Sequence, residues 1–408
     1  MSYNLWNDCP KVPITELLSF IVDNRGKTVP TAEKGHKLIA TNCVTNNTLF
    51  PVYEKVRYLS EETYQNWFRA HPLPGDILFV NKGTPGRVCL VPDPVDFCIA
   101  QDMIALRADD SKIYNKYLFA VLRSNVIQQQ IYNTNVGDVI PHFKKQFMDQ
   151  LLIPVPDRKK QEAIGDLYYL LSYKVELNKQ INDNLQQQLR AIFVERFTDN
   201  PSLDSLMQVP LSDLCVVVTK GTTPTTLGKP FVNRGINFLK AESILDNHSL
   251  DKGKFAYIDD ETHCMLKRSV IQAGDIVFTI AGTLGRFALI DNDVLPANTN
   301  QAIAIIRADR KKVSPEYLYT CFLGNWHNDY YSKRVQQAVQ ANLSLTTIKS
   351  LPIPMLESDD MLDYMALVTP IIKMLKRNEM EIERLVALRD TLLPRLLNGE
   401  INVSTIEI

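Results

Sequence analysis

The stretch NKGTPGR at residues 81–87 returns as IAGTLGR at residues 280–286. In both places Gly-Thr-x-Gly-Arg follows an apolar run opened by Gly-Asp-Ile, at Gly75-Asp76-Ile77 and Gly274-Asp275-Ile276. Two explanations compete: a glycine-rich loop beside a cation that cradles a phosphate, or a module present twice. The flanking sequence decides for duplication. Val12-Pro13-Ile14-Thr15-Glu16-Leu17 answers Val209-Pro210-Leu211-Ser212-Asp213-Leu214 at an offset of 197, and Asp76-Ile77 answers Asp275-Ile276 at 199. Arg107-Ala108-Asp109 matches Arg307-Ala308-Asp309 at 200, an offset kept through Tyr117-Leu118 and Ile153-Pro154. So small a drift over so long a span makes the chain two copies of one unit.

Each unit has two parts. The first, roughly 12–155 and 209–355, mixes short apolar runs (76–80, 88–91, 275–280, 302–306) with Gly and Pro punctuation, as strands and turns do. Helical pieces are expected at 113–124 and 315–323, giving a mixed α and β domain. The second part differs: residues 158–197 hold no Pro and only Gly165. Leu171, Val175, Asn178, Asn182, Leu185, Leu189 and Ile192 follow the 4-3 spacing of a coiled-coil seam. Ile371, Leu375, Asn378, Ile382, Leu385, Arg389 and Leu392 repeat it 200 residues on. Packing of each helix on its own domain is the simpler reading of one stripe; the duplicate favours two helices facing each other. Asn178 and Asn378 are the polar seam residues that fix register. Pro370 is expected to break or start the second helix. The expected fold is α+β: two pseudo-symmetric mixed domains (1–155 and 200–355) joined by long helices (156–199 and 356–408) in an antiparallel coiled coil. About 40 helical residues make a rod on the order of 60 Å, and symmetric DNA readers reach half-sites roughly 34 Å, or a multiple, apart.

Composition bounds the function. Of 408 residues 45% are apolar, enough for real cores. No run approaches a membrane span, and MSYNLWNDCPKVP lacks the pattern of a secretory signal, so a cytoplasmic protein is expected. The seven Cys never fall in Cys-x-x-Cys spacing, which argues against disulfide or zinc frameworks. Net charge is −1, and the acid excess sits at the end: residues 356–408 carry 6 Lys+Arg against 10 Asp+Glu. DNA binding would therefore need cations gathered on one face. No Asn-Pro-Pro-Tyr methylation motif and no Gly-x-x-x-x-Gly-Lys-Ser/Thr loop is present. Gly-Thr-x-Gly-Arg lacks that spacing, and Gly83, Gly86, Gly282 and Gly285 read as turn formers. A protein-only scaffold on a coiled coil, and an enzyme with a phosphate site at each turn, stay open at this point.

The order of motifs resembles the specificity subunit of type I restriction-modification enzymes over essentially the whole chain. The pieces are Arg25-Gly26-Lys27-Thr28-Val29-Pro30 with Lys220-Gly221-Thr222-Thr223-Pro224, and both Gly-Asp-Ile and Gly-Thr-x-Gly-Arg pairs. Gln340-Ala341-Asn342-Leu343-Ser344, Leu351-Pro352-Ile353-Pro354 and the closing Leu392-Leu393-Pro394-Arg395-Leu396-Leu397-Asn398-Gly399-Glu400-Ile401 complete the set. The first half departs with Val139-Ile140-Pro141-His142-Phe143, and the second lacks the Lys160-Gln161-Glu162 lead into its helix. The resemblance implies a non-catalytic subunit of two target-recognition domains, each reading half of a bipartite site in double-stranded DNA. The paired helices would set the spacing and dock two modification (methyltransferase) subunits, with restriction (translocase-nuclease) subunits joining. S-adenosylmethionine, ATP and Mg would belong to those partners, leaving no cofactor, metal or membrane contact to this chain.

Base reading falls to Arg or Lys on guanine and Asn or Gln on adenine. Candidates in the first half are Lys27, Lys82, Arg87, Asn133, Asn135, His142, Lys144 and Lys145. In the second they are Lys220, Thr222, Thr223, Arg286, Asn298, Asn300, Gln301, Lys333, Arg334, Gln336 and Gln337. Any one of these could as well be a solvated loop residue, and most contacts in such interfaces go to phosphates. Arg87 and Arg286 could equally pair with a local carboxylate. The remaining histidines (36, 71, 248, 263, 327) read as structural.

Overall fold

The computed structural model describes residues 4–24, 27–134, 141–198, 206–326, 330 and 342–401. The chain forms two compact units, residues 1–179 with 380–408 and residues 180–379.

In the first unit the strands are β1 (Lys11–Pro13), β2 (Leu18–Val22), β3 (His36–Ile39), β4 (Arg57–Leu59), β5 (Ile77–Val80), β6 (Val88–Leu90), β7 (Phe97–Ile99), β8 (Met103–Ala108) and β9 (Leu152–Pro154). They build a four-stranded sheet β2-β8-β5-β6, a three-stranded sheet β4-β3-β7 and the pair β1-β9. The helices are α1 (Leu5–Asp8), α2 (Glu61–Asn66), α3 (Asn115–Leu122), α4 (Asn125–Thr134) and the first half of α5 (Arg158–Phe197).

The second unit repeats the plan with β10 (Met207–Pro210), β11 (Cys215–Lys220), β12 (Ile236–Leu239), β13 (Ala256–Ile258), β14 (Val270–Ile271), β15 (Ile276–Thr279), β16 (Phe287–Leu289), β17 (Ala297–Thr299), β18 (Ile303–Ala308) and β19 (Pro352–Met355). Their order is β11-β18-β15-β16, β13-β12-β17-β14 and β10-β19. Its helices are α6 (Asp260–Met265), α7 (Pro315–Leu323), α8 (Leu345–Lys349) and part of α9 (Ser358–Leu397). The repetition reaches fine detail: β2 shifts register against β8 between Leu18 and Phe20, and β11 against β18 between Cys215 and Val217.

The repeated sequence motifs are mostly internal struts. Strand β5 is buried along its length because both faces of its sheet are covered, hence its unbroken apolar run. Ile77 and Phe79 face α3 and the long helices, while Leu78 and Val80 face β7. The Asp of Gly-Asp-Ile meets the Arg of Arg-Ala-Asp in each unit. Arg107 donates Nε to Asp76 Oδ1 (2.9 Å) and Nη2 to Oδ2 (2.8 Å). Arg307 treats Asp275 the same way, at 2.7 Å for both bonds. Tyr117 and Tyr317 each donate a hydroxyl hydrogen to the carbonyl of Pro154 or Pro354.

The two long helices pair antiparallel within each unit. In the first, the Arg389 guanidinium lies 5.7 Å from the Tyr168 ring and Lys174 Nζ is 4.0 Å from Glu381. In the second, Phe197 meets Tyr364 at 5.3 Å and Asn378 Nδ2 donates to Asn182 Oδ1 at 2.9 Å. Pro370 neither breaks nor starts a helix, which corrects the sequence expectation: α9 runs unbroken from Ser358 to Leu397. Pro370 and Ala366, whose carbonyl loses its donor, are both exposed, so water can replace the lost bond. The seam also drifts at its ends. Val175, Asn178, Leu185, Leu189 and Leu375 are buried, but Leu171, Ile192, Ile371 and Leu392 are half-buried and Ser172, Phe193, Ile372 and Leu393 are buried in their stead. A helix of 3.6 residues per turn slips against a strict 3.5 repeat in this way. Asn378, Ile382 and Leu385 are half-buried.

Candidate nucleic-acid interface

In the first unit β2 and β5 end on the same side of the sheet, against the start of β8 (Val22 beside Ala105, Val80 beside Met103). Three loops are tied together there. Asn81 N donates to Asp102 O (2.9 Å), Phe143 N to Asn81 O (2.8 Å) and Gly83 N to Pro141 O (3.0 Å). Lys82 and His142 form a β-bridge, so these two candidates are neighbours. Lys145 pairs with Asp23 at the end of β2, and partial burial pulls its ammonium below the usual lysine value. Lys27, Lys82 and Lys144 are exposed and His142 is half-buried.

The second unit makes the same junction. Ile280 N donates to Ala302 O (2.8 Å), Leu343 N to Ile280 O (2.9 Å) and Thr222 N to Thr299 O (3.1 Å). Gly221 is required there, since a Cβ would stand 2.0 Å from the Thr299 carbonyl oxygen. Thr223 Oγ1 bonds Gln301, joining two candidates, and Lys220 is exposed beside them. Asn300 Oδ1 accepts from Ala302 N (3.2 Å). Asn298 lies apart: it is buried, its Oδ1 faces His263 and its Nδ2 donates to Leu266 O (3.2 Å), which leaves no edge for a base.

The Gly-Thr-x-Gly-Arg stretches are the β5–β6 and β15–β16 hairpin turns, with φ of +86° and +89° at Gly83 and Gly86 and +78° and +82° at Gly282 and Gly285. Their arginines differ. Arg286 donates Nε and Nη2 to the carboxylate of Asp246 (2.6 and 2.8 Å) and Nη1 to Ile244 O (3.2 Å), clamping a neighbouring loop. Arg87 is half-buried and makes no side-chain hydrogen bond or ion pair among the described residues. Asn46, 200 residues before Asp246, instead accepts from Val88 N (2.8 Å). Asn133 is exposed on α4 and accepts from Gln129 Nε2 (2.8 Å). Asn135, Lys333, Arg334, Gln336 and Gln337 lie outside the described residues.

Sequence reasoning passed over Gln129 and Tyr132, which share the exposed face of α4 with Asn133. The sequence marks that face weakly, since only Ile127 and Ile131 form the buried side opposite it. Among the described residues no group of three or more His, Cys, Asp or Glu side chains could hold a metal, and no helix is long and apolar enough to cross a membrane.

The comparisons agree with this duplicated plan. The family model described as the type I restriction modification DNA specificity domain matches twice, at residues 27–187 and 205–360. The chain is 24% identical over 412 aligned positions to the HindI type I restriction enzyme specificity subunit of Haemophilus influenzae, covering 80% of this chain and 86% of that one. It is 19% identical to the MjaIX specificity subunit of Methanocaldococcus jannaschii, covering 81% and 78%. Among solved structures, the type I restriction-modification S subunit from M. genitalium superposes with a TM-score of 0.55 at 16% identity, covering 96% of both chains.

Proposed function

The chain belongs to the type I restriction-modification DNA specificity family, whose domain it carries twice, and from that premise we propose that each unit reads one half of a bipartite, asymmetric DNA site. One observation carries the proposal: the same junction of strand ends and loops is built once per unit, and it gathers Lys82, His142 and Lys144 in one copy and Lys220, Thr222, Thr223 and Gln301 in the other. The side chains differ between copies, so the two half-sites differ. Most of the contacts such side chains make go to phosphates, and the few that reach base edges carry the sequence.

The paired helices hold the two readers in register and fix the gap between half-sites. Two modification subunits dock along them. Supporting this, both helices expose apolar side chains, Leu170 and Ile181 on α5 and Leu362, Leu367, Met374 and Met380 on α9. Catalysis, S-adenosylmethionine and ATP with Mg belong to those partners and to the restriction subunits.

The test is to map methylated positions in DNA from cells that carry this chain with its modification subunits, before and after residues 205–360 are replaced by those of a relative. One half of the recognised sequence should change and the other persist. A change in both halves would refute independent reading, and an assembly that retains no DNA at any salt concentration would point to a scaffold instead, because phosphate contacts make binding steeply salt-dependent.

A further inference from the structure

Helix α4 presents one face to solvent and pins the other. Asn125, Val126, Gln129, Tyr132 and Asn133 are exposed, at the spacing of a single helical stripe, and Ile127 and Ile131 are buried. Tyr132 is 73% exposed, which no core role explains. The helix carries no acidic residue. Its buried side is locked to the Gly-Thr-Pro-Gly-Arg turn: Gln128 Nε2 donates to Gly86 O (2.8 Å) and Leu122 O (2.7 Å). A Cβ on Gly86 would stand 3.2 Å from Ile131. Between turn and helix lies a cleft of about 400 Å³ lined by Pro85, Asn125, Gln128, Gln129 and Tyr132, without a charged group. The turn that forms one wall begins at Lys82, in the cationic junction described above.

We infer that the exposed face of α4 enters the major groove and reads an A·T pair in the half-site taken by the first unit. This rests on the DNA-reading function proposed above. An α-helix fits that groove, and Asn or Gln amides match the N6/N7 edge of adenine. The bond from Gln129 Nε2 to Asn133 Oδ1 (2.8 Å) orients both amides before DNA arrives. It leaves Gln129 Oε1 as an acceptor and Asn133 Nδ2 as a donor, the pair that edge requires. Tyr132, one turn along, supplies apolar surface for the thymine methyl group. The absence of carboxylates on helix and cleft removes repulsion from the flanking phosphates.

The experiment uses the full chain assembled with its modification subunits, and determines the methylated sequence and competition binding for the wild type, Tyr132→Ala, the double variant Gln129→Ala/Asn133→Ala, and Gln129→Glu. Discrimination at one or two positions of one half-site should fall roughly ten- to hundred-fold in the alanine variants. The other half-site and the affinity for random DNA should stay unchanged. Gln129→Glu sits at an exposed position and keeps the fold testable; it should shift preference from adenine toward cytosine, whose N4 amine a carboxylate accepts. Wild-type discrimination retained in all three variants overturns the assignment of α4 alone. A wild-type assembly with no bipartite pattern overturns both this inference and the function it rests on.

Discussion

Asp76 and Asp275 have side chains only 2% and 0% exposed, and each is held by the guanidinium of an arginine more than 30 residues away, Arg107 or Arg307. Removing the arginine alone leaves a carboxylate buried without its partner. Arg107→Ala or Arg307→Ala is expected to cost about 3–5 kcal/mol in urea unfolding, far more than loss of any exposed ion pair. Both residues were legible as repeated letters, Gly-Asp-Ile and Arg-Ala-Asp, but not as partners, because a repeat shows that a residue is kept and not what it touches. Gly-Thr-x-Gly-Arg misleads in the opposite sense. Its glycines do the same work twice, while Arg286 clamps Asp246 and Arg87 has no such carboxylate at the matching position, which Asn46 occupies. His248 offers a pH test. It stacks on Phe287 at 3.9 Å, and burial, reinforced by the Arg190 guanidinium, pushes its pKa down to about 4. An unfolded histidine titrates near ~6.5, so between these values the native state binds fewer protons than the unfolded chain. The stability tied to neutral His248 is full above about pH 6.5 and lost as pH falls toward about 4. His248→Phe keeps the stacking surface and should flatten that acid limb, as measured by unfolding at a series of pH values.

Among elements, the long helices were the most legible part of the sequence, since α5 occupies the expected residues 158–197. What periodicity could not reveal is how each seam position is filled. Asn182 is buried and accepts its bond from Asn378. Asn378→Leu should cost about 1–3 kcal/mol by leaving that buried amide oxygen unmet. The double variant Asn182→Leu/Asn378→Leu should recover most of the loss, and a double-mutant cycle in urea measures the coupling. A second pair shows the copies diverging together. Leu189 and Val368 are fully buried in the second unit, whereas Arg389 and Tyr168, at the matching positions of the first, form a cation–aromatic contact. The stripe places Arg389 in the seam but not its complement, because Tyr168 precedes Leu171, the first seam residue of α5. Helix α4 was missed for another reason. Its apolar face is only Ile127 and Ile131, too short a signal against the glutamines around it.

For the molecule as a whole, the duplication predicted the fold, but not where one unit stops. The first unit draws on both ends of the chain: Leu393, Leu396 and Leu397 of α9 lie in the same core as Phe79, Tyr117 and Ile153. Residues 1–198 expressed alone should therefore be readily digested by protease, and co-expression with residues 206–408 should restore a resistant, stoichiometric complex. A stable, monomeric 1–198 fragment would show that the terminal helix is dispensable to that core. The second unit, by contrast, is one continuous stretch, 180–379. During synthesis on the ribosome the order of completion is then inverted: the unit begun second has all its residues first, and the unit begun first must wait, its apolar cavity unfilled, until the last turn of α9 emerges. Ribosome-tethered chains that end at residue 380 and continue into a flexible linker long enough to clear the exit tunnel should carry a finished second unit and an open first one, the interval in which a chaperone would be needed most.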